Sequence, residues 1–412
     1  MRVVICGAGM AGLALAGRLH NTLGWEVEVL EKARQPAAGG HSIDFYGPGY
    51  DAAEAMGVLP WLEELSCAGT GVALVDDEGR YRAEVAHGRI ARAVRGRMLT
   101  IKRSDLELAL RERLSLAVTL RFGVGPERIE AGTDGVRVTL TDGTTVDSDL
   151  LVGADGVHST VRALVFGEEA RYVHHLGYHT ASFVVDDPVT HMEIAGRHCV
   201  TDTPGRRMGL RALRDGTVAV SAVHRATGAP AQDARAALRR EYGSLGWLVP
   251  RVLANCPPSP RIHYDHAAQV ELPRWSHGRV VLVGDACQAV SPFTGQGASL
   301  AVGGAYVLAD RLARASRVED ALHGYERLWR PVITHRQRAA RRAARWSVPE
   351  SPLDLRVRRT AVRLAALPAA RRFAGVPCAG DQRPSLGRLA SIPPWVSEAR
   401  GAVLDGTSPP GV

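Results

Sequence analysis

This 412-residue sequence has no long apolar run and no cluster of cysteines. Its apolar runs, such as residues 150–152 and 280–283, are strand-sized, whereas a membrane-spanning helix needs about 20 apolar residues. The six cysteines lie far apart, with no Cys/His group at zinc spacing, which argues against a disulfide framework and a metal site. We therefore expect reduced cysteines, no metal and no integral membrane association. The N-terminal residues lack a signal-peptide pattern, which predicts a cytoplasmic protein.

Lysine and aromatic residues are also scarce. Lys32 and Lys102 are the only lysines among 51 basic residues, and the formal net charge is +8. Many arginines lie in residues 336–372, but Trp346 is the single aromatic residue of this segment, which has no recognised nucleic-acid motif. A solvated or anion-facing helical surface is therefore favoured over nucleic-acid binding. Aromatics make up 5% of the chain, which favours a roomy, aliphatic substrate pocket.

The first part of the chain has the pattern of a βαβ unit. Residues 2–6 are a short apolar strand, residues 13–23 have apolar positions at helical spacing, and residues 26–30 form the next strand. Further along, residues 172–270 show the two-residue alternation of a mostly antiparallel sheet with one helical insertion. The other predicted elements are a loop at 39–49, a helix at 50–65, hairpins at 71–85 and 136–146, helices at 104–114, 231–242 and 297–315, a strand at 279–283, arginine-rich helices after 318 and a loosely ordered end at 393–412.

A glycine-rich motif joins the first strand to the first helix. In Gly7-Ala8-Gly9-Met10-Ala11-Gly12, Gly7 permits a tight turn, Gly9 lets the backbone approach a pyrophosphate, and Gly12 lets helix and strand pack closely. Glu31 follows Gly12 by 19 residues, at the end of the second strand. There a carboxylate accepts hydrogen bonds from an adenosine ribose. The helix N-terminus favours negative charge, so this unit predicts a dinucleotide site.

Two further motifs place polar residues after buried strands. The first is Gly284-Asp285-Ala286, followed by Pro292-Phe293-Thr294-Gly295-Gln296-Gly297-Ala298 at the start of a helix. Asp285 suits ribityl hydroxyl groups, and amides near Gly297 suit an anion. The second is the apolar strand before Ala154-Asp155-Gly156, which leads to Ser159 and Arg162 at a helix start.

In this order and spacing, the three motifs resemble those of the class A flavoprotein monooxygenases. This aromatic-hydroxylase family includes para-hydroxybenzoate hydroxylase and the tetracycline-modifying monooxygenases, and the match covers roughly residues 3–312. The resemblance implies an α/β fold: a Rossmann-like FAD-binding domain, an inserted, mostly antiparallel β-sheet substrate domain, and C-terminal helices. The domain boundaries expected are 1–70, 97–171 and 276–345 for the FAD-binding domain, 71–96 and 172–275 for the substrate domain, and 346–412 for the C-terminal segment.

The resemblance also implies the cofactors and their contacts. NADPH or NADH reduces FAD, O2 adds to form a flavin hydroperoxide, and one oxygen passes to a cyclic, aromatic or polyketide-like substrate. Gly39-Gly40-His41-Ser42-Ile43-Asp44 resembles a loop of the tetracycline-modifying branch, which implies Asp44 near FAD and Arg34 near NADPH. The cofactor contacts expected are Gly7, Gly9, Met10, Ala11, Gly12, Glu31, Lys32, Arg34, Asp44, Arg103, Asp155, Gly156, Asp285, Pro292, Gly295, Gln296, Gly297 and Ala298.

No catalytic side chain is assigned, because the flavin carries the chemistry. The fifteen histidines show no metal or acid–base spacing. We expect substrate contacts from one face of the 172–270 sheet, from the Phe45-Tyr46 loop and from Pro292-Phe293. The candidates, which also read as ordinary strand or loop residues, are Phe45, Phe183, Arg211, Ser221 and Phe293.

The sequence departs from the family pattern at four positions. Cys287 and Gln288 replace the usual Ala-His after Gly-Asp-Ala, Ser299 replaces Asn, and Gly304 replaces an acidic residue. Two other functions stay open: a reductase or desaturase of the same fold that inserts no oxygen, and a binding protein without redox chemistry. A flavin halogenase is disfavoured because its WxWxIP signature is absent. Nothing in the sequence separates a monomer from a homodimer.

Overall fold

Two large β-sheets organise the chain in the computed structural model, which describes residues 1–36, 42–67 and 71–366. The strands are β1 Arg2–Cys6, β2 Glu26–Glu31, β3 Ser42–Tyr46, β4 Val72–Val75, β5 Tyr81–Val85, β6 Met98–Lys102, β7 Thr119–Phe122, β8 Pro126–Ala131, β9 Val136–Leu140, β10 Thr145–Ser148, β11 Leu150–Gly153, β12 Val173–Val185, β13 His198–Thr203, β14 Arg206–Ala212, β15 Val218–Arg225, β16 His263–Val270, β17 Ser276–His277 and β18 Val280–Leu282. The helices are α1 Met10–Leu23, α2 Pro48–Ala55, α3 Leu59–Leu65, α4 His87–Ala93, α5 Arg103–Glu112, α6 Thr160–Phe166, α7 Pro188–Ile194, α8 Ala234–Tyr242, α9 Val249–Ala254, α10 Asp285–Gln288, α11 Gly297–Arg314, α12 Val318–Ser347 and α13 Pro352–Ala366.

The first sheet has the strand order β17-β18-β11-β1-β2-β7. From β18 to β7 each neighbouring pair is parallel, while β17 is antiparallel to β18. Val3, Val4 and Ile5 are fully buried, because helices such as α1 and α6 pack on this sheet and a parallel sheet buries both faces. The carboxyl ends of β18, β11, β1 and β2 therefore lie side by side at one edge.

The second sheet has the order β16-β12-β15-β14-β13-β4-β5 and is antiparallel except between β13 and β4. One face packs against α8 and α9 in an apolar core that includes Phe183, Val220 and Leu238. The opposite face is turned towards β3, since Arg211 on β14 hydrogen-bonds to Ser42 and Asp44. The α/β architecture with an inserted antiparallel sheet and C-terminal helices is confirmed.

Several element boundaries differ from those predicted. The predicted loop at 39–49 contains strand β3, and the single helix predicted at 50–65 is two helices, because Gly57 has φ +68° between them. The antiparallel sheet carries α7 and α9 as well as the predicted insertion, which is α8. Residues 39–41, Cys378 and the segment 393–412 lie outside the described residues.

The C-terminal helices connect the two sheets. Helix α12 packs on α11, and α13 packs along β5. Arg358 and Arg359 of α13 both form ion pairs with the buried Asp202 of β13. Among the described residues, no helix has the length and apolarity to span a bilayer.

Candidate functional site

The three sequence motifs meet at the carboxyl edge of the parallel sheet. A Cβ added at Gly7 would come within 2.4 Å of the Ala154 carbonyl oxygen, and one at Gly284 within 2.8 Å of the Ala11 Cβ. Gly7 and Gly284 have φ +112° and +64°, backbone conformations that favour glycine. The fully buried Arg162 adds a third link, because its Nη1 donates to the Ala286 carbonyl at 3.0 Å. The loops after β1, β11 and β18 thus form one continuous site.

Within the first motif, the glycines have different surroundings. A Cβ at Gly12 would come within 1.9 Å of the Gly7 carbonyl oxygen, whereas one at Gly9 would meet no atom within 4 Å. Gly12 is therefore required for helix–strand packing. Gly9 faces open space at the N-terminus of α1, where unpaired helical amides favour an anion.

The Glu31 side chain forms a hydrogen bond to the backbone of this loop. Its carboxylate accepts a hydrogen bond from the Ala8 amide at 2.9 Å and another from the Ala33 amide at 2.9 Å. The sequence predicted a ribose contact at Glu31 and did not show these two backbone contacts. Lys32 and Arg34 follow as exposed side chains on the same edge.

Asp285 lies at the first position of α10, half-buried. No described residue donates a hydrogen bond to its carboxylate. Burial raises the pKa of Asp285, and the nearby Arg103 guanidinium opposes this rise. Arg103 itself is held by Glu107, with Nε donating to Oε1 at 3.1 Å. The arrangement leaves a partly desolvated carboxyl group available to a ligand.

The glycine-rich loop after α10 leads into the long helix α11. Ser291 and Gly295 adopt positive φ values of 103° and 60°, which turn the chain sharply around Pro292. Gln296 is the buried residue before the helix, so the amides of Gly297 and Ala298 lie in its first turn. In α1, Met10 is the first residue and Ala11 is buried against Gly284.

Asp155 is occupied by its own loop. Its carboxylate accepts hydrogen bonds from the Ser159 hydroxyl at 2.6 Å and the Val161 amide at 3.0 Å. Ser159 in turn caps α6 by accepting from the Arg162 amide at 2.9 Å. Gly156 has φ +82°. Asp155 therefore fixes the shape of the turn, whatever further contact it makes.

The residues that depart from the family pattern have partners in this chain. The Ser299 hydroxyl accepts from the Tyr46 amide at 3.1 Å, and the Gln288 side-chain amide donates to the Leu300 carbonyl at 3.0 Å. A Cβ at Gly304 would come within 2.7 Å of Trp329 Nε1. The Trp329 indole from α12 thus fills the space beside Gly304, which the sequence alone did not indicate.

Asp44 and Arg211 form an ion pair between β3 and the antiparallel sheet. Arg211 Nη1 donates to Asp44 Oδ1 at 2.7 Å, and Thr100 Oγ1 donates to the same oxygen at 2.8 Å. Burial opposes ionisation, but the charge and hydrogen bonds of Arg211 outweigh it and hold the pKa of Asp44 well below its usual value. Asp44 and Arg211, predicted for cofactor and substrate respectively, are therefore direct partners.

His198 is a member of this network that the sequence did not single out. Arg211 Nη2 donates to His198 Nδ1 at 3.0 Å. Burial and the charge of Arg211 lower the pKa of His198, so the ring is neutral. With Nδ1 accepting, the proton of the neutral ring lies on Nε2. A Cβ at Gly209 would come within 2.9 Å of that nitrogen and within 2.7 Å of Ser221 Oγ, so both atoms lie over Gly209.

Two of the predicted substrate residues, Phe183 and Phe45, are buried in apolar cores. Phe183 pairs with Val220 and is buried against α8 and α9, on the face opposite Arg211 and Ser221, because Ser182 is the residue paired with Ser221. Phe45 is fully buried in the core of the parallel sheet. Phe293 is partly buried, with its ring edge-on to Tyr178 at 5.0 Å. The sheet face beside β3 carries polar residues, among them Arg211 and Ser221.

Comparison with known proteins finds a matching family model and relatives that cover most of the chain. A family model described as an FAD binding domain matches residues 1–340. The chain is 34% identical over 411 residues to the 3-amino-4-hydroxybenzoate 2-monooxygenase of Streptomyces cremeus, covering 93% of this chain and 98% of that protein. It is 30% identical over 366 residues to the FAD-dependent monooxygenase asL6 of Sarocladium schorii, covering 82% and 86%.

Solved structures with the same fold are similar over most of the chain. Tetracycline destructase Tet(51) superposes with a TM-score of 0.74 at 25% identity, covering 88% of this chain and 96% of that one. Klebsiella pneumoniae HpxO, solved with FAD and uric acid, superposes with a TM-score of 0.76 at 21% identity, covering 92% and 96%. The latter likeness concerns the fold alone.

Proposed function

The chain belongs to the FAD-binding-domain family of flavin-dependent monooxygenases, and from that premise we propose that it hydroxylates a small cyclic compound at the expense of NAD(P)H. The most extensive relative cited above is named for an aromatic substrate, 3-amino-4-hydroxybenzoate. A polar aromatic or polyketide-like molecule is accordingly the proposed substrate class. FAD, when bound, supplies the redox and oxygen-transfer chemistry.

The residues at the carboxyl edge fit this cofactor. The open space at Gly9 is what a pyrophosphate needs, and the unpartnered, half-buried carboxyl group of Asp285 suits a ribityl hydroxyl donor. Glu31 holds the glycine loop through Ala8 and offers its remaining lone pairs to a ribose. These roles are part of the proposal.

The substrate site is proposed between the glycine-rich loops and the face of the antiparallel sheet that bears Arg211 and Ser221. The single observation that carries this assignment is the hydrogen-bond network from Asp44 through Arg211 to His198. It fixes His198 as a neutral donor through Nε2, beside the Ser221 hydroxyl. A carbonyl or phenolic oxygen on a cyclic substrate is a suitable acceptor for such donors.

NAD(P)H is proposed to bind transiently at the surface of the parallel-sheet domain. The one glycine-rich dinucleotide unit is assigned to FAD, and Lys32 and Arg34 are exposed cations beside it. Cationic side chains at this edge suit the phosphates of a second nucleotide.

The deciding experiment follows labelled oxygen. Purified holoenzyme, NADPH and a panel of cyclic compounds that includes 3-amino-4-hydroxybenzoate are incubated under 18O2. A product that carries one 18O atom, formed with substrate-dependent NADPH consumption, supports the hydroxylase. An oxidised or reduced product without the label indicates a reductase or desaturase, and protein that retains no flavin indicates a binding role.

A further inference from the structure

Helix α1 carries a buried arginine without a hydrogen-bond partner. The Arg18 side chain is 3% exposed, and none of its three guanidinium nitrogens has a hydrogen-bond partner among the described residues. The Arg18 Cζ lies 4.8 Å from the centroid of the Tyr306 ring. Burial lowers the pKa of Arg18. A buried cation whose donors are all unpaired is costly, and such groups are normally neutralised by a counter-charge.

No described carboxylate supplies that counter-charge by direct contact. Asp310 is near enough to stabilise the Arg18 charge electrostatically, but other arginines take its oxygens. Arg311 Nε donates to Oδ2 at 3.0 Å, and Arg314 Nε donates to Oδ1 at 2.9 Å. The surroundings of Arg18 therefore hold more guanidinium than carboxylate charge.

A small cavity adjoins Arg18. It is lined by Arg18, Arg113 and Thr22 together with apolar residues that include Met56, Val58 and Leu110, so it lies among α1, the α2–α3 connection and α5. The space open to the centre of a water-sized sphere is about 10 Å³, which is room for one such occupant. Arg113 is held at this cavity by Gly57, whose carbonyl accepts from Nη2 at 3.4 Å.

We propose that this cavity binds a single small anion of halide size, with chloride as the ordinary occupant. The Arg18 guanidinium supplies unused N–H donors and charge, Arg113 adds a second positive charge, and Thr22 adds a hydroxyl donor. The size of the cavity and its apolar walls exclude a phosphate ester or a dinucleotide. The site is separate from the proposed cofactor and substrate sites, but it stabilises the helix that begins at the glycine-rich loop.

The first test measures the melting temperature of the holoenzyme at constant ionic strength while sodium gluconate is replaced by sodium chloride. We expect a saturable rise of several degrees with chloride or bromide. Arg18→Met should abolish that rise, and Arg338→Met, which removes an exposed arginine of α12, should keep it. A rise of equal size in Arg18→Met, or no rise in the wild type, overturns the proposal.

The second test does not depend on a variant that folds. Crystals of the wild-type holoenzyme grown in sodium bromide should show an anomalous scattering peak in contact with the Arg18 guanidinium. Density without anomalous signal in the cavity identifies water and overturns the proposal, as does an empty cavity. Neither outcome bears on the proposed hydroxylation, which the labelled-oxygen assay tests separately.

Discussion

At the scale of single residues, two glycines of one motif differ in whether a larger side chain would fit in their place. Gly12 has no room for a Cβ because the Gly7 carbonyl oxygen would lie 1.9 Å from it, whereas a Cβ at Gly9 would meet no atom within 4 Å. Backbone geometry does not require glycine at Gly9, since its φ is −82° and its ψ is −175°. In the proposed function, glycine is required at position 9 because the pyrophosphate of FAD approaches the backbone there.

We expect Gly9→Asp to fold normally and to lose FAD, because its carboxylate would occupy the space of the pyrophosphate and repel it. Flavin absorbance per protein after gel filtration, with circular dichroism for the fold, measures this. Gly88→Asp is the matched control, since Gly88 is exposed and a Cβ there also meets no atom within 4 Å. Full flavin content in Gly9→Asp would show that the cofactor does not approach this glycine. Gly12→Ala should instead impair folding.

A second prediction concerns His198. If its Nε2 proton is donated to substrate, His198→Leu should raise KM roughly 5- to 150-fold, which corresponds to about 1–3 kcal/mol for a lost hydrogen bond with a buried partner. Flavin content should not change. His174→Leu, at an exposed position of β12, should leave KM unaltered. An unchanged KM in His198→Leu would remove His198 from the substrate site.

At the scale of elements, single side chains connect helices, strands and loops that are distant in sequence. Gly304 of α11 leaves room for the Trp329 indole of α12. The space beside the position that is acidic in the family pattern is therefore filled by an aromatic side chain from the next helix. His158 makes a comparable connection between the α6 loop and β16. Its Nδ1 lies 2.9 Å from Glu169 and its Nε2 lies 2.8 Å from Asp265.

The His158 contacts predict a pH-dependent stability. Hydrogen bonds to Asp265 and Glu169 raise its pKa to about 9, above its usual value of about 6.5 in the unfolded chain. The stabilisation is therefore complete below about pH 6.5 and is lost as the pH rises through 9. Because His158 is half-exposed, the effect should be modest.

We expect His158→Gln to melt below the wild type at pH 6 and to approach it above pH 9. Melting curves by differential scanning fluorimetry between pH 5.5 and 9.5 measure the difference. The exposed His174→Gln serves as control. A difference that stays constant with pH would mean that packing, and not the charged imidazole, accounts for the contribution of His158.

At the scale of the whole molecule, a six-stranded sheet that contains the glycine-rich βαβ unit is combined with a seven-stranded, mostly antiparallel sheet. Asp44 and Arg211 join the two-stranded sheet of β3 and β6 to the antiparallel sheet, and Arg358 and Arg359 attach α13 to the antiparallel sheet through Asp202. The described residues contain no second glycine-rich βαβ unit for a nicotinamide nucleotide. In the proposed function, NAD(P)H binds at the surface of the parallel-sheet domain, whereas the substrate binds beside the antiparallel sheet.

This organisation predicts that substrate controls flavin reduction. Stopped-flow reduction by NADPH should be at least about tenfold faster with the true substrate present than without it, which corresponds to about 1.4 kcal/mol. A non-hydroxylatable cyclic analogue, tested in parallel, separates the effect of binding from that of turnover. Equal and fast reduction in all three conditions would refute control by substrate.

The order of the residues was enough to predict the βαβ unit, the three motifs at the ends of buried strands, the antiparallel character of residues 172–270 and the FAD family. These features depend on local backbone preference and on hydrophobic period, both of which are written in consecutive residues. Alternation also showed that neighbouring strand residues such as Ser182 and Phe183 point to opposite faces. It could not show which face α8 and α9 would cover, and the structure places Phe183 on that covered face. The partners of Asp44 and Gly304 could not be predicted from the sequence either, since Asp44 and Arg211, for example, are 167 positions apart. Only the tertiary structure brings such residues together, because their contact depends on how whole sheets and helices pack.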